Sequence, residues 1–299
     1  MNILFMGSGE FGLCSLERLV EEHEVVGVIT SPDKPAGRNR KETPTPIGKW
    51  SLEHNLQVIK TEDVNSPEIL EKIKSLSVDA TVVIAFGQKL SEELVELNPI
   101  VNLHASLLPR WRGAAPINAA IVHGDKFSGV SVITIAQKMD SGLVLGSVST
   151  EIGSEETAGQ LHDRLRKLGP DLILEVLKSD LRGEIQDESK VTYAPKLSRK
   201  DSILDLTKDS TEVARTIRGL SPWPCCHLNI AGIDCKIINA IPNKGTGKVG
   251  EILADGTIAV GCGSIKILKL KPAGSNEMSW EDFCNGRSVK VGDVCGVQA

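Results

Sequence analysis

Residues 1–12 read MNILFMGSGEFG, and the reading of this stretch decides the fold. An apolar, strand-like run leads directly into Gly7, Gly9 and Gly12, and a helical pattern follows over residues 11–22. Strand, glycine turn and helix in that order open a nucleotide-binding α/β unit, in which backbone N–H groups at a helix N-terminus hold a pyrophosphate. The same reading asks for an acidic residue about 20 positions on, at the end of the second strand. EVVGVITSPD supplies Asp33 there. A tight strand-to-helix turn needs small residues whatever it binds, so the stretch argues for an α/β architecture and leaves open whether NAD is bound.

Beyond the turn the first half of the chain keeps alternating. EVVGVITS reads as a strand, IGKWSLEHN as a helix and QVIKTE as a strand. SPEILEKIKS reads as a helix with Ser66 as cap and Pro67 in its first turn, and DATVVIAFG as a strand that is apolar almost throughout. Such continuous runs fit strands buried on both faces of a parallel sheet. SEELVEL, VNLHAS, GAAPINAAIVHG, GVSVITIAQ and LVLGSVSTEI follow as helix, strand, helix and two strands. ETAGQLHDRLRKLGPDLILEVLKSDLRG is one long amphipathic segment that covers the sheet, and the polar stretch after it reads as a linker.

TEVARTIRGL is a further helix, and the chain then changes character. HLNIAG, CKIINAI, GKVGEIL, TIAVGCG and SIKILKL are short alternating runs separated by glycine-rich turns, the pattern of a small antiparallel barrel or sandwich. The expected architecture is a Rossmann-like, doubly wound, mostly parallel α/β domain over residues 1–189, a linker over 190–206, and an OB-like antiparallel β-barrel over 207–299.

Composition narrows the function classes. A chain of 299 residues with 40% hydrophobic and 24% charged residues is that of a soluble globular protein. No run approaches the ~18 apolar residues of a membrane span. A strand beginning at Asn2 leaves no room for a targeting segment, so the expected location is cytoplasmic. The seven cysteines include no C-x-x-C pair and are read as reduced thiols, with no metal site.

Charge is unevenly spread. Residues 1–206 carry 23 basic and 30 acidic side chains, a net −7, whereas residues 207–299 carry 11 and 9, a net +2. Within the acidic part, KPAGRNRKETPTPIGK (34–49) holds Lys34, Arg38, Arg40, Lys41 and Lys49 against Glu42 alone. A basic loop on an acidic domain is a candidate anion contact. Aromatic residues make up 3% of the chain, too few for the base-stacking platforms of single-strand binders.

In VNLHAS, Asn102, His104 and Ser106 alternate with Val101, Leu103 and Ala105. A strand sends alternate side chains to opposite faces, which aligns an amide, an imidazole and a hydroxyl. Pro109 and Gly113 then stop the strand, and ligands of open α/β sheets bind beyond such strand ends. Asp140 lies in the tight turn QKMDSG at another strand exit. An imidazole beside a carboxylate and an amide donor is a set for proton transfer and oxyanion stabilisation.

With these residues in place the chain resembles the folate-dependent formyltransferases. NLHASLLPRWRGAAPI, followed by DSGLVL, matches the N-x-H-x-S-L-L-P stretch and later Asp that form the family's catalytic core. The likeness continues through SPDKPAGR, GSEETAGQLHDRL, VTYAPKLS, SPWP and KPAG. The last ten residues, KVGDVCGVQA, match poorly and carry no implied role. In that family the opening turn resembles G-T-P-E-F and binds no nucleotide. Glu10 and Phe11 match it, whereas Gly9 and Gly12 depart from it and produce the dinucleotide pattern by coincidence.

The resemblance implies transfer of the formyl group of 10-formyltetrahydrofolate to the α-amine of methionyl initiator tRNA, by a monomer, without metal or NAD. It makes Asn102 the oxyanion donor and His104 the proton carrier, with Asp140 fixing the imidazole. It places the folate along Ser106, Leu107, Leu108 and Pro109 and against Phe86 and Gly87. It assigns the tRNA to Lys34, Arg38, Arg40, Lys41 and Lys49, with Lys196, Arg199 and Lys200 holding phosphates. Two alternatives remain: a nucleotide-sugar formyltransferase, which lacks the basic loop, and an NAD(P)-dependent reductase, which has no need of His104.

Overall fold

The computed structural model describes residues 1–36 and 41–296. It falls into two compact units, each discontinuous in sequence. The first comprises Met1–Arg112, Gly129–Ser149 and His162–Thr192, and the second Gly113–Ser128, Thr150–Leu161 and Tyr193–Ala299.

The first unit is built on a seven-stranded sheet. Its strands are β1 (Asn2–Gly7), β2 (Glu24–Thr30), β3 (Val58–Lys60), β4 (Ala80–Ile84), β5 (Ile100–His104), β6 (Phe127–Thr134) and β7 (Val144–Glu151), in the order β7-β6-β5-β4-β1-β2-β3. The pairs β1/β2, β2/β3, β1/β4 and β4/β5 are parallel, and β5/β6 is antiparallel. Ile3, Leu4, Phe5 and Met6 are all fully buried, which is why this strand is apolar without alternation. The chain winds outward from β1 through β2 and β3, then restarts on the other side at β4. The carboxyl ends of β1 and β4 therefore flank the switch point where doubly wound sheets bind their ligands.

Local chemistry sets the helices. Thr45 accepts from the Gly48 N–H to cap the helix Pro46–Glu53, and Ser91 accepts from the Leu94 N–H to cap the helix Glu92–Glu96. Ser66 precedes the helix Pro67–Lys74 as expected, though its side chain makes no capping bond. The long amphipathic segment is two helices, Ala158–Leu165 and Gly169–Leu177, rather than one. A Cβ at Gly169 would press into the Leu103 side chain, and Pro170 has no N–H to continue the ladder.

The opening glycines have packing roles. A Cβ on Gly7 would lie 2.7 Å from the Ile84 carbonyl oxygen, and one on Gly12 would lie 3.1 Å from the Phe5 ring. Phe11 is buried edge-on to the His162 ring, and Glu10 pairs with Arg166 at 2.8 Å. Asp33 is engaged by Lys60 at 2.7 Å. Within the basic loop, Lys34–Ala36 pairs antiparallel with Lys41–Thr43.

The second unit carries β8 (Cys226–Ile230), β9 (Ile233–Asn243), β10 (Ile258–Ala259), β11 (Ser264–Pro272) and β12 (Met278–Ser279) in one antiparallel sheet. Its order is β8-β9-β11-β10, with β12 on β11. Leu228, Ile237, Ile267 and Leu270 form its core with Val213 and Ile217 of the helix Ser210–Gly219. GKVGEIL, expected as a strand, contributes only single bridges, because glycine turns interrupt it.

Those bridges curl the sheet round on itself: Ile252 meets Ile258, Glu251 meets Val294, and Asn229 meets Gly296. The chain's last described residues thus connect β10 back to β8. A helix at Trp280–Arg287, not anticipated from sequence, is capped by Ser279 and buries Trp280 and Phe283 in this core.

Candidate active site

His104 and Asp140 meet at the carboxyl end of β5. Asn102 and His104 lie two residues apart on one face of the strand, in register with Ile133 and Ser131 of β6. His104 is 6% exposed, so both ring nitrogens need partners. Nε2 lies 2.8 Å from the carbonyl oxygen of Trp111, and Nδ1 lies 3.5 Å from Asp140 Oδ2. A carbonyl oxygen only accepts, so Nε2 carries a proton. Nδ1 is the nitrogen that faces the carboxylate of Asp140.

Asn102 is half-buried, and its side-chain amide has no hydrogen bond among the described residues. An amide donor two residues from the imidazole is thus free to meet a developing negative oxygen. Asp140 itself has φ 51° and Trp111 φ 63°, both in the left-handed region that non-glycine residues avoid. Strain of this kind clusters at functional sites.

The expected folate-lining residues divide into two groups. Phe86 is 4% exposed and packs in the core with Leu4, Met6 and Leu94. Gly87, at φ +80°, has open space where a Cβ would stand and leaves exposed backbone beside the switch point. Ser106 lies beyond the end of β5, so strand alternation does not place it. Its hydroxyl donates to the Arg110 carbonyl at 2.6 Å, and its own carbonyl accepts from Ser131 Oγ at 2.7 Å. Leu107, Leu108 and Pro109 are half-exposed, with the Leu108 N–H donating to Ser131 Oγ. A partly apolar turn next to exposed glycine backbone fits a flat heterocycle with a hydrogen-bonding edge.

Among the expected tRNA contacts, Lys34, Lys41, Lys49, Lys196, Arg199 and Lys200 are exposed. Lys49 pairs loosely with Glu53 at 3.9 Å. Arg199 and Lys200 stand on a short 3-10 turn capped by Ser198 and Asp201. Arg38 and Arg40 lie outside the described residues.

Four site-supporting residues escaped sequence reasoning: Trp111, Arg112, Gln186 and Thr192. Arg112 is 1% exposed, the largest fully buried side chain. Its Nε donates to Gln186 Oε1 at 2.9 Å and its Nη2 pairs with Glu188 at 2.7 Å. That hydrogen bond holds the Glu188 carboxyl below the usual carboxylate range. No periodicity marks these residues, because their partners are distant in sequence and mostly backbone. Among the described residues no cluster of His, Cys, Asp or Glu is arranged to hold a metal.

Residues 1–177 match the formyl transferase family and residues 196–288 match the formyl transferase C-terminal domain. A methionyl-tRNA formyltransferase of Symbiobacterium thermophilum is 40% identical, covering 98% of this chain and 94% of its own. That of Methylococcus capsulatus is 38% identical, covering 97% and 98%. Among solved structures, the sugar 3N-formyl transferase WlaRD, determined with dTDP and 5-N-formyl-THF, superposes with a TM-score of 0.68 at 17% identity, over 92% of this chain and 99% of that one. HypX from Aquifex aeolicus, in complex with tetrahydrofolic acid, gives 0.64 at 18% identity over 97% of this chain, which spans 48% of HypX.

Proposed function

The chain belongs to the formyl transferase family, and from that membership we propose that it formylates the α-amine of methionyl initiator tRNA, with 10-formyltetrahydrofolate as donor. The observation that carries the chemistry is the His104–Asp140 pair at the carboxyl end of β5, with Asn102 two residues before His104 on the same strand. Full-length likeness to methionyl-tRNA formyltransferases supports the acceptor.

Addition of a neutral amine to a formyl carbon places negative charge on the formyl oxygen. Asn102 donates its amide hydrogen to that oxygen, a preorganised donor typically worth 10²–10³-fold in rate. The His104 Nδ1 edge, backed by Asp140, takes up and returns the proton that passes from the amine to the leaving nitrogen. Nε2 stays committed to the Trp111 carbonyl, so the ring keeps one orientation throughout.

The donor rests over the exposed backbone at Gly87 and against Leu107, Leu108 and Pro109. Ser106 acts by shaping this turn, and Phe86 acts through its main chain alone. Lys34, Arg38, Arg40, Lys41 and Lys49 grip the acceptor, and Lys196, Arg199 and Lys200 add phosphate contacts. The opening glycine turn packs strand against strand and holds no NAD. The enzyme acts as a cytoplasmic monomer without a metal.

The test is formyl transfer to charged initiator tRNA, assayed with and without 10-formyltetrahydrofolate, and with an amino-sugar nucleotide as the competing acceptor. Donor-dependent formylation of the tRNA is expected. Transfer to the sugar alone would overturn the acceptor assignment.

A further inference from the structure

We propose that the segment from Gln186 to Thr192 is a positioning brace that holds both members of the His104–Asp140 pair, one at each end. The proposal rests on the formyl-transfer reading above and adds positioning residues to it. The segment lies in the polar stretch that reads as a linker in the sequence.

At one end is Gln186, 6% exposed. Its Nε2 donates to the carbonyl oxygens of Asp140 at 2.7 Å and Gly142 at 2.8 Å, while its Oε1 accepts from Arg112 Nε at 2.9 Å. Both amide hydrogens are therefore committed to the turn that carries Asp140. At the other end is Thr192. Its Oγ1 accepts from the Trp111 N–H at 2.9 Å and its carbonyl accepts from the Arg112 N–H at 2.9 Å. The Trp111 carbonyl in turn receives the His104 Nε2 proton.

The two residues steadied by the brace, Asp140 and Trp111, are both in left-handed backbone conformations. Such conformations persist only where surrounding bonds over-determine them. Burying the guanidinium of Arg112 is itself costly unless it is fully engaged. Here it orients Gln186 through Nε and bonds Glu188 through Nη2. Placement of Asp140 opposite Nδ1 thus depends on a residue 46 positions away in sequence. A displacement of about 1 Å in such a pair is enough to lose ~10²-fold in rate.

Gln186→Glu separates positioning from simple stapling. A carboxylate still accepts from Arg112 but has no hydrogens for the Asp140 and Gly142 carbonyls. We expect kcat to fall by ~10–100-fold with KM for tRNA and folate within about twofold. In an Asp140→Asn background the same change should cost less than about twofold, because residues acting as one unit are non-additive. At the other end, Thr192→Val should lower kcat by about tenfold and shift the acidic limb of its pH profile, while Thr192→Ser, which keeps the acceptor oxygen, restores both.

The Thr192 pair stands as an independent test if Gln186→Glu proves insoluble. A wild-type enzyme that formylates tRNA, with Gln186→Glu costing the same factor in both backgrounds or Thr192→Val leaving kcat and the profile unmoved, would overturn the brace and leave the function standing. A wild-type enzyme without formyl transfer would overturn both.

Discussion

The Nε2 proton of His104 is donated to the carbonyl oxygen of Trp111, seven residues downstream and 2.8 Å away, and this bond turns Nδ1 toward Asp140. The neutral ring is therefore the Nε2–H tautomer. Nitrogen-15 chemical shifts of His104 should show a protonated Nε2 in the neutral form. A protonated Nδ1 with a bare Nε2 would move the working edge to the other nitrogen and invalidate the proton route drawn above.

The basic loop gives a second expectation. Each phosphate contact releases condensed counterions, so fewer contacts flatten the dependence of affinity on salt. Neutralising Arg38 and Arg40 together should weaken tRNA binding and reduce the salt slope by about 1–2, leaving folate affinity unchanged. Arg38→Lys should also weaken binding if the guanidinium forks to its partner, since Lys lacks that geometry. Titrations across a salt series check this. Equal affinities and slopes would make the basic loop a solvated surface feature.

The C-terminal stretch, which matches the family poorly and falls beyond the matched residues 196–288, has a structural task. Ile252 donates to Asp293, Cys295 to Gly250, and Asn229 and Gly296 exchange a pair of backbone bonds. Removing residues 293–299 deletes these bonds, at about 1 kcal/mol each, and bares the edge of β8 to other chains. Thermal denaturation and light scattering should show a lower midpoint and earlier aggregation. An unchanged midpoint would mean that the sheet holds without this closure.

Four buried thiols set an alkaline limit. Burial pushes Cys226 and Cys295 up to about 12, and Cys225 and Cys235 up to about 11. In the unfolded chain thiols ionise near about 8.5. Between that pH and about 11 the folded state keeps protons that the unfolded state gives up, so stability falls as pH rises. Each thiol contributes at most ~1.4 kcal/mol per pH unit. Urea midpoints from pH 7 to 10 should decline, and less steeply for Cys226→Ala. A flat profile would show that these thiols meet solvent in the folded state.

Much of this was readable from the chain because it is periodic. Runs such as NILFMG and DATVVIAFG have to be covered on both faces, and NLH places an amide and an imidazole on one side of a strand by geometry alone. Asp140 was identified from its tight turn at a strand exit, yet nothing local fixed its distance from His104. The brace left no trace because Gln186 is one amide in a polar stretch, and its partners are the carbonyls of Asp140 and Gly142 and the buried Arg112. The ring closure at Glu251, Val294 and Gly296 was equally silent, since bridges one residue long have no period. Phe86 shows the converse: its aromatic type drew attention in the sequence, but its burial with Leu4, Met6 and Leu94 could be known only from the fold.

In the proposed reaction Asn102, His104 and Asp140 perform formyl transfer to methionyl initiator tRNA. Single-turnover formylation by wild type, Asn102→Ala, His104→Ala and Asp140→Asn tests it most directly, with folding checked by circular dichroism. Asn102→Ala and His104→Ala should slow the chemical step by ~10²-fold or more. Asp140→Asn, which keeps shape and removes charge, should slow it as well. Near-normal rates in all three folded variants would place the chemistry elsewhere and contradict the account.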